Sequence, residues 1–259
     1  MPNIFQELQM ISISSGNVIV EARKQMNEIV RIFKERDDFM HNITICAEKL
    51  RYLDVQTFLD ADAFMVQPDV DPWVLPEDLR HDSLGFCRDN RIIFSGRLVY
   101  PVKDVKGDVM GWCGYDKWED SKYLDSINNG YKAKVTTFYG MEKLEEAYNN
   151  TEPVFFVEGI VCCLFLRQCG LQAFATLGSH ISPYVVKIVS RLGHRAVFIT
   201  DSDEAGTKYR RQVRRVLPMA RCYQSTIAKD IDDSRQVDMG IVEDLRNFSK
   251  PFHNGKYFM

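Results

Sequence analysis

Five carboxylates in this chain stand where they could do chemistry together. Glu158 follows the apolar run "VFFV", Asp201 and Asp203 follow "AVFIT", and Asp230 and Asp232 lie in "KDIDDS", just after "ARCYQS". Carboxylates crowded together repel and raise one another's pKa values unless a cation of high charge sits among them. Hard oxygen donors of this kind favour Mg²⁺ or Mn²⁺. Each acid also has an ordinary reading. Asp203 suits the N-cap of a helix starting at Glu204, and Asp230 or Asp232 suits a turn. The combination is harder to explain that way: Glu-Gly after one apolar run, and Asp-x-Asp-x-x-Gly after another. A spacing of two places Asp201 and Asp203 on the same side of an extended backbone, where they can share a metal.

For these acids to meet, the runs that precede them must be parallel strands of one sheet. "VFFVEG" (154–159), "QAFATLG" (172–178), "AVFIT" (196–200) and "ARCYQS" (220–225) read as strands. Apolar-periodic stretches at 160–169, 181–192 and 204–217 read as the helices between them. Continuous apolar strands indicate a sheet covered on both faces, and such sheets carry their functional groups at the strands' carboxyl ends. Upstream, apolar spacing between Phe5 and Glu48 (Val18 and Ala22; Ile29, Ile32 and Phe33) predicts helices with a break at "SSG". The Asp- and Pro-rich stretch 60–85 predicts irregular, turn-linked structure at a subdomain boundary. "GRLVYPVKDVKGDVMGWCGYD" (96–116) predicts a hairpin turning at Lys106 and Gly107.

Composition narrows the class. The chain has 259 residues, 45% of them hydrophobic, which is ample for a core. No apolar run approaches the roughly 18 residues of a membrane span, and the N-terminus lacks a secretory pattern. Seven cysteines form no CxxC pair, so a zinc site is not expected, and free thiols fit a cytoplasmic setting. The net charge of −3 is unevenly spread. Residues 51–90 hold nine acidic and three basic side chains, whereas 187–221 hold nine basic and three acidic. Arg210 with Arg214, and Arg211 with Arg215, repeat at helical i, i+4 spacing. Such like-charge pairs repel slightly, which suggests either a solvated face or an external anion.

"VEGIVCC" followed by "ITDSDEAG", with Glu158 and Asp201 43 positions apart, resembles the Toprim domain of primases, several topoisomerases and some nucleases. The upstream order resembles the bacterial and phage DNA primase catalytic core: "GRLVYPVKDVKGDVMGW" (96–112), "SKYLDS" (121–126), then "KVTTFYGME" (134–142). The resemblance spans roughly residues 50–235. It implies an α/β fold, with an α+β N-terminal subdomain followed by a Toprim domain whose mainly parallel sheet is flanked by helices. The divisions it implies are an N-terminal helical segment (1–48), a catalytic subdomain with the basic hairpin (49–150), the Toprim domain (151–235) and a C-terminal helix and tail (236–259). It further implies template-directed synthesis of short RNA primers on single-stranded DNA from nucleoside triphosphates. Glu158, Asp201 and Asp203 would be catalytic, and with Asp230 and Asp232 would bind Mg²⁺ or Mn²⁺. Arg97, Lys103, Lys122 and Lys134 match family cations that meet nucleotide and template.

This chain departs from the family pattern in places. Cys162 stands where many primases carry a further aspartate, Asp125 replaces the asparagine of Lys-Tyr-Leu-Asn, Gly114 and Tyr115 replace Gly-Gly-Arg, and Ile231 replaces the proline of Asp-Pro-Asp. No N-terminal zinc-ribbon ligand set and no Gly-x-x-x-x-Gly-Lys-Ser/Thr loop occurs. A phage or mobile-element core is therefore expected, working with a replicative helicase or a separate template-recognition module. A Toprim nuclease, using the same acids to activate water, and a catalytically degenerate replication adaptor are the competing readings. The tail "FSKPFHNGKYFM" fits a docking peptide or a frayed end.

Overall fold

The runs that read as parallel strands form one four-stranded sheet in a computed structural model of the chain. The structure describes residues 16–50, 52–116, 122–125, 138–178, 181, 183–200, 203–224 and 239–249. The chain divides into two compact units, Met1–Glu145 and Glu146–Met259.

In the first unit, α1 (Gly16–Lys34) and α2 (Phe39–Leu50) precede a short α3 (Val55–Asp60). Helix α1 begins at the glycine of "SSG" and buries Ala22, Met26, Ile29, Val30 and Phe33 along one stripe. An antiparallel sheet takes the order β1 (Phe64–Met65), β4 (Leu98–Lys103), β5 (Val109–Tyr115), β6 (Tyr123–Asp125), and β2 (Cys87–Arg88) pairs separately with β3 (Arg91–Ile92). Pro101 is tolerated within β4 because β1 pairs only with Leu98 and Val99, so no neighbour on that side needs its missing N–H. Residues 60–85 are largely irregular, with three single turns of 3₁₀ helix. Their apolar side chains nonetheless enter the core: Phe64 stacks on Phe33 at 4.8 Å, and Leu84 accepts a hydrogen bond at its carbonyl from the Trp112 indole at 2.9 Å.

The hairpin turn is built around Asp104. Its buried carboxylate accepts the backbone N–H of Lys106 (2.8 Å) and Asp108 (3.1 Å) and pairs with Arg23 of α1 at 3.3 Å. Gly107 takes φ +87°, a conformation in which a β-carbon is strained. Asn27, also on α1, accepts Val109 N–H and donates to Asp108. The hairpin is therefore fastened to α1 at its tip.

Helix α4 (Leu144–Asn149) runs across the division at Glu145, and the strands of the second unit run β8 (Gln172–Ala175), β7 (Val154–Val157), β9 (Ala196–Thr200), β10 (Arg221–Gln224), all parallel. Between them lie α5 (Ile160–Gln168), α6 (Pro183–Leu192) and α7 (Glu204–Val216), and α8 (Met239–Ser249) follows. Phe174, Phe156 and Phe198 are in register across three strands and stack at 5.6 and 5.0 Å, and Tyr209 of α7 meets Phe198 edge-on. This aromatic row is the core of the sheet's α7 side. Strand β8 is shorter than its apolar run suggests, because Leu177 and Gly178 take φ +60° and +123° and turn the chain away. Among the described residues, no helix is long and apolar enough to cross a membrane.

Candidate functional site

Strand order 8-7-9-10 reverses direction between β7 and β9, since the chain first moves outward to β8 and then returns to the other side of β7. Open parallel sheets bind ligands in the crevice at the carboxyl ends of the two strands flanking such a reversal. The register pairs Phe156 with Phe198, so Glu158 and Thr200 each lie two residues further on, at the same edge. Glu158 directly precedes the N-terminus of α5, and Asp203 caps α7, accepting Gly206 N–H at Oδ1 (2.9 Å). Both carboxylates therefore sit where unsatisfied helix N–H groups favour negative charge.

The capping reading of Asp203 and its place beside a switch point hold together: one carboxylate oxygen closes the helix, and the second remains for another donor or a cation. Asp201, Asp230, Asp232 and Lys134 lie outside the described residues. Among those described, no group of three or more potential metal-ligating side chains occurs. Glu158 and Asp203 nevertheless present the hard carboxylate oxygens that Mg²⁺ or Mn²⁺ requires, at adjacent corners of one sheet edge. Thr200, buried at the end of β9, has a hydroxyl with no hydrogen-bond partner among the described residues. Cys162 lies in the first turn of α5 and is buried.

Two hydroxyls at this edge carried no signal in the sequence. Thr176, just past β8, is buried within reach of the carbonyls of Gly178 (2.8 Å) and Val157 (3.3 Å), and Tyr209 Oη lies 3.1 Å from its Oγ1. Burial, and to a lesser degree the charge of Glu158, holds the Tyr209 phenol above its ordinary range, so it stays protonated. The backbone carbonyl of Glu158 accepts Leu177 N–H (3.1 Å) and Gly178 N–H (3.4 Å).

The cations singled out in the first unit have definite surroundings. The Lys103 ammonium pairs with Asp62, which also takes Lys34. One carboxylate between two ammoniums leaves the trio with a net positive charge. Arg97 donates to the carbonyl of Lys122 at 3.4 Å, and that same carbonyl accepts Asp116 N–H at 2.8 Å. The last three residues of "Lys-Tyr-Leu-Asp" lie as strand β6 beside β5, with Leu124 opposite Gly114. A β-carbon at position 114 would stand 2.6 Å from the Phe94 ring and 3.1 Å from Arg97 Cδ, so glycine leaves room on β5 for that ring and for the Arg97 stem beside it.

Helix α7 carries a further basic surface. Arg211, Arg214 and Arg215 are exposed, Lys208 pairs with Glu204 at 2.9 Å, and Arg210 turns to Gln224.

Residues 155–235 match the family model described as Toprim-like. The DNA primase of Borreliella burgdorferi is 33% identical over 135 residues, covering 50% of this chain and 25% of the relative. The chain thus spans only about a quarter of the length of that curated relative. Among solved structures, the RNA polymerase domain of Mycobacterium tuberculosis primase DnaG superposes with TM-score 0.72 at 15% identity, covering 88% of this chain and 83% of the other. A DnaG primase catalytic domain bound to ssDNA superposes with TM-score 0.71 at 19% identity, covering 88% and 78%. The shared fold therefore includes more of the chain than residues 50–235, which carry the motifs. Residues 155–235 are thus similar to Toprim-like domains, and the chain that contains them has the fold of the primase RNA polymerase domain.

Proposed function

We propose that the chain is a DNA primase catalytic core that joins ribonucleotides into short primers on single-stranded DNA. The observation that carries this reading is the switch point between β7 and β9, where Glu158 and Asp203 stand at adjacent helix N-termini within a primase polymerase-domain fold. In this reading Glu158, Asp201 and Asp203, joined by Asp230 and Asp232, hold Mg²⁺ or Mn²⁺. A divalent cation bound there supplies charge stabilisation for the attacking and leaving oxygens of an in-line displacement at the α-phosphate. The protein's own part is positional. Arg97, Lys103, Lys122 and Lys134 hold triphosphate and template by charge-assisted hydrogen bonds, and the sheet fixes the carboxylates before substrate arrives.

The hairpin supports polymerase over nuclease. A water-activating site needs only the acids, whereas here Gly114 leaves room on β5 for the Arg97 stem, and Arg97 donates to the Lys122 carbonyl. Within the second unit, the exposed arginines of α7 offer a cationic surface of their own on which a single strand can lie. This reading places the reaction in a bacterial cytoplasm, in a host or phage context, with a replicative helicase or a template-recognition module as the partner class.

Incubation with single-stranded DNA, Mg²⁺ or Mn²⁺ and labelled ribonucleoside triphosphates tests it. Labelled oligoribonucleotides are the expected product. Shortened DNA without need of triphosphates would identify a nuclease, and neither product together with no divalent-ion binding would identify an adaptor.

A further inference from the structure

We propose that the hydroxyls of Tyr209 and Thr176 form a positioning clamp that ties the Glu158 corner of the sheet to the helix capped by Asp203. This inference rests on the metal-binding role assigned to those two carboxylates above.

Metal ligands must be held to a fraction of an ångström, and groups behind them usually do the holding. Glu158 and Asp203 belong to different strand-to-helix corners, so something must fix one against the other. The ladder between β7 and β9 reaches only as far as Phe156 and Phe198. Beyond it, the Glu158 backbone is gripped from the other side. Thr176 N–H binds the Val157 carbonyl at 2.8 Å, and Leu177 and Gly178 N–H both bind the Glu158 carbonyl. Leu177 does this at φ +60°, a conformation that a branched-chain residue keeps only when its surroundings impose it.

Thr176 imposes it. A threonine hydroxyl has one proton to give, and the shortest of its acceptors is the Gly178 carbonyl at 2.8 Å, a bond that closes the 176–178 turn. The Thr176 oxygen is then the acceptor for the Tyr209 phenol at 3.1 Å. Tyr209 is rooted in α7 in the second turn after Asp203, and its ring is locked edge-on against Phe198. A continuous path therefore runs from the Glu158 carbonyl through residues 177 and 178, the Thr176 hydroxyl and the Tyr209 phenol to the helix that Asp203 begins. Ring packing alone would be served by phenylalanine; a buried phenol is costly unless its hydroxyl is bonded.

Binding of Mn²⁺, followed through the spectrum of the aquo ion by electron paramagnetic resonance, tests the clamp independently of catalysis. Tyr209→Phe and Thr176→Val should each weaken Mn²⁺ binding about tenfold, the low end for groups that orient metal ligands. The double variant should be no weaker than either single one, because both remove the same bond. Thr176→Ser, which keeps the hydroxyl, should restore wild-type affinity, and thermal melting of each variant identifies those that fold. If Tyr209→Phe does not fold, the Thr176→Val and Thr176→Ser pair decides the matter alone. Folded variants that bind Mn²⁺ as the wild type does would overturn the clamp, leaving two ordinary core hydroxyls. Wild-type protein that binds no Mn²⁺ would overturn both the clamp and the metal-binding role. Wild-type protein that binds Mn²⁺ but incorporates no nucleotide, with weakened variants, would uphold the clamp and overturn the polymerase reading.

Discussion

Replacing Asp104 separates the two forces that hold the basic hairpin in place. The Asp104 carboxylate is 3% exposed and faces Arg23 across 3.3 Å while closing the turn that follows Lys103. Asp104→Asn keeps an oxygen for the two turn N–H groups but removes the charge facing Arg23. Breaking a buried ion pair costs about 3–5 kcal/mol, and the slight exposure of Arg23 places this case near about 3 kcal/mol. Asp104→Ala also loses two turn hydrogen bonds at about 1 kcal/mol each, for a total of about 5 kcal/mol. All three tryptophans, Trp73, Trp112 and Trp118, precede Glu146, so indole fluorescence reports on the first unit. With a urea m-value of about 2 kcal/mol/M, the midpoint should fall by about 1.5 M for the asparagine variant and about 2.5 M for alanine. If both midpoints moved by less than about 0.5 M, the hairpin would not depend on this anchor, given the same relation between midpoint and stability. Equal shifts for the two variants would assign the whole effect to the ion pair.

Asp62 gives the first unit a specific acid sensitivity. Its burial pushes the carboxyl pKa up, but the ammoniums of Lys103 and Lys34 outweigh that and hold it below the ordinary value of 3.8. A depressed carboxylate stabilises the fold fully above the unfolded value and loses that contribution as pH falls through the folded one. Tryptophan-detected stability should therefore drop more steeply below about pH 4 in the wild type than in Asp62→Asn; parallel pH profiles would remove Asp62 from the account. On α7, Arg211→Gln with Arg215→Gln should weaken single-stranded DNA binding measured by anisotropy. The salt dependence should also become shallower, by about 0.7 in slope for each phosphate that is no longer neutralised. An unchanged slope would mean that these arginines are only solvated.

The sheet of the second unit was legible because "VFFV" and "AVFIT" are apolar on both faces, as a covered parallel strand must be. The hairpin was legible from its glycine and its alternation. Strand β6 was not, because its three residues are half-buried and have no period of their own; β5 creates the strand by pairing with it, with Tyr115 against Tyr123 at 5.0 Å. Residues 60–85 announced their irregularity through Asp and Pro, but their anchoring through Phe64 and Leu84 depends on partners far along the chain. The ion pair of Lys103 with Asp62 bridges 41 positions and leaves no local trace. The helix cap of Asp203 was legible in sequence, whereas Tyr209 and Thr176 look like ordinary core residues until the fold brings their hydroxyls together.

The most direct test of the central claim is primer synthesis by the wild type beside Glu158→Gln and Asp201→Asn, each confirmed to be folded by circular dichroism and thermal melting. Polymerisation by carboxylates gathered at the β7–β9 switch point requires that the wild type extend labelled ribonucleotides on single-stranded DNA in Mg²⁺ or Mn²⁺, and that both folded variants make essentially none. Primer synthesis undiminished in either folded variant would contradict it.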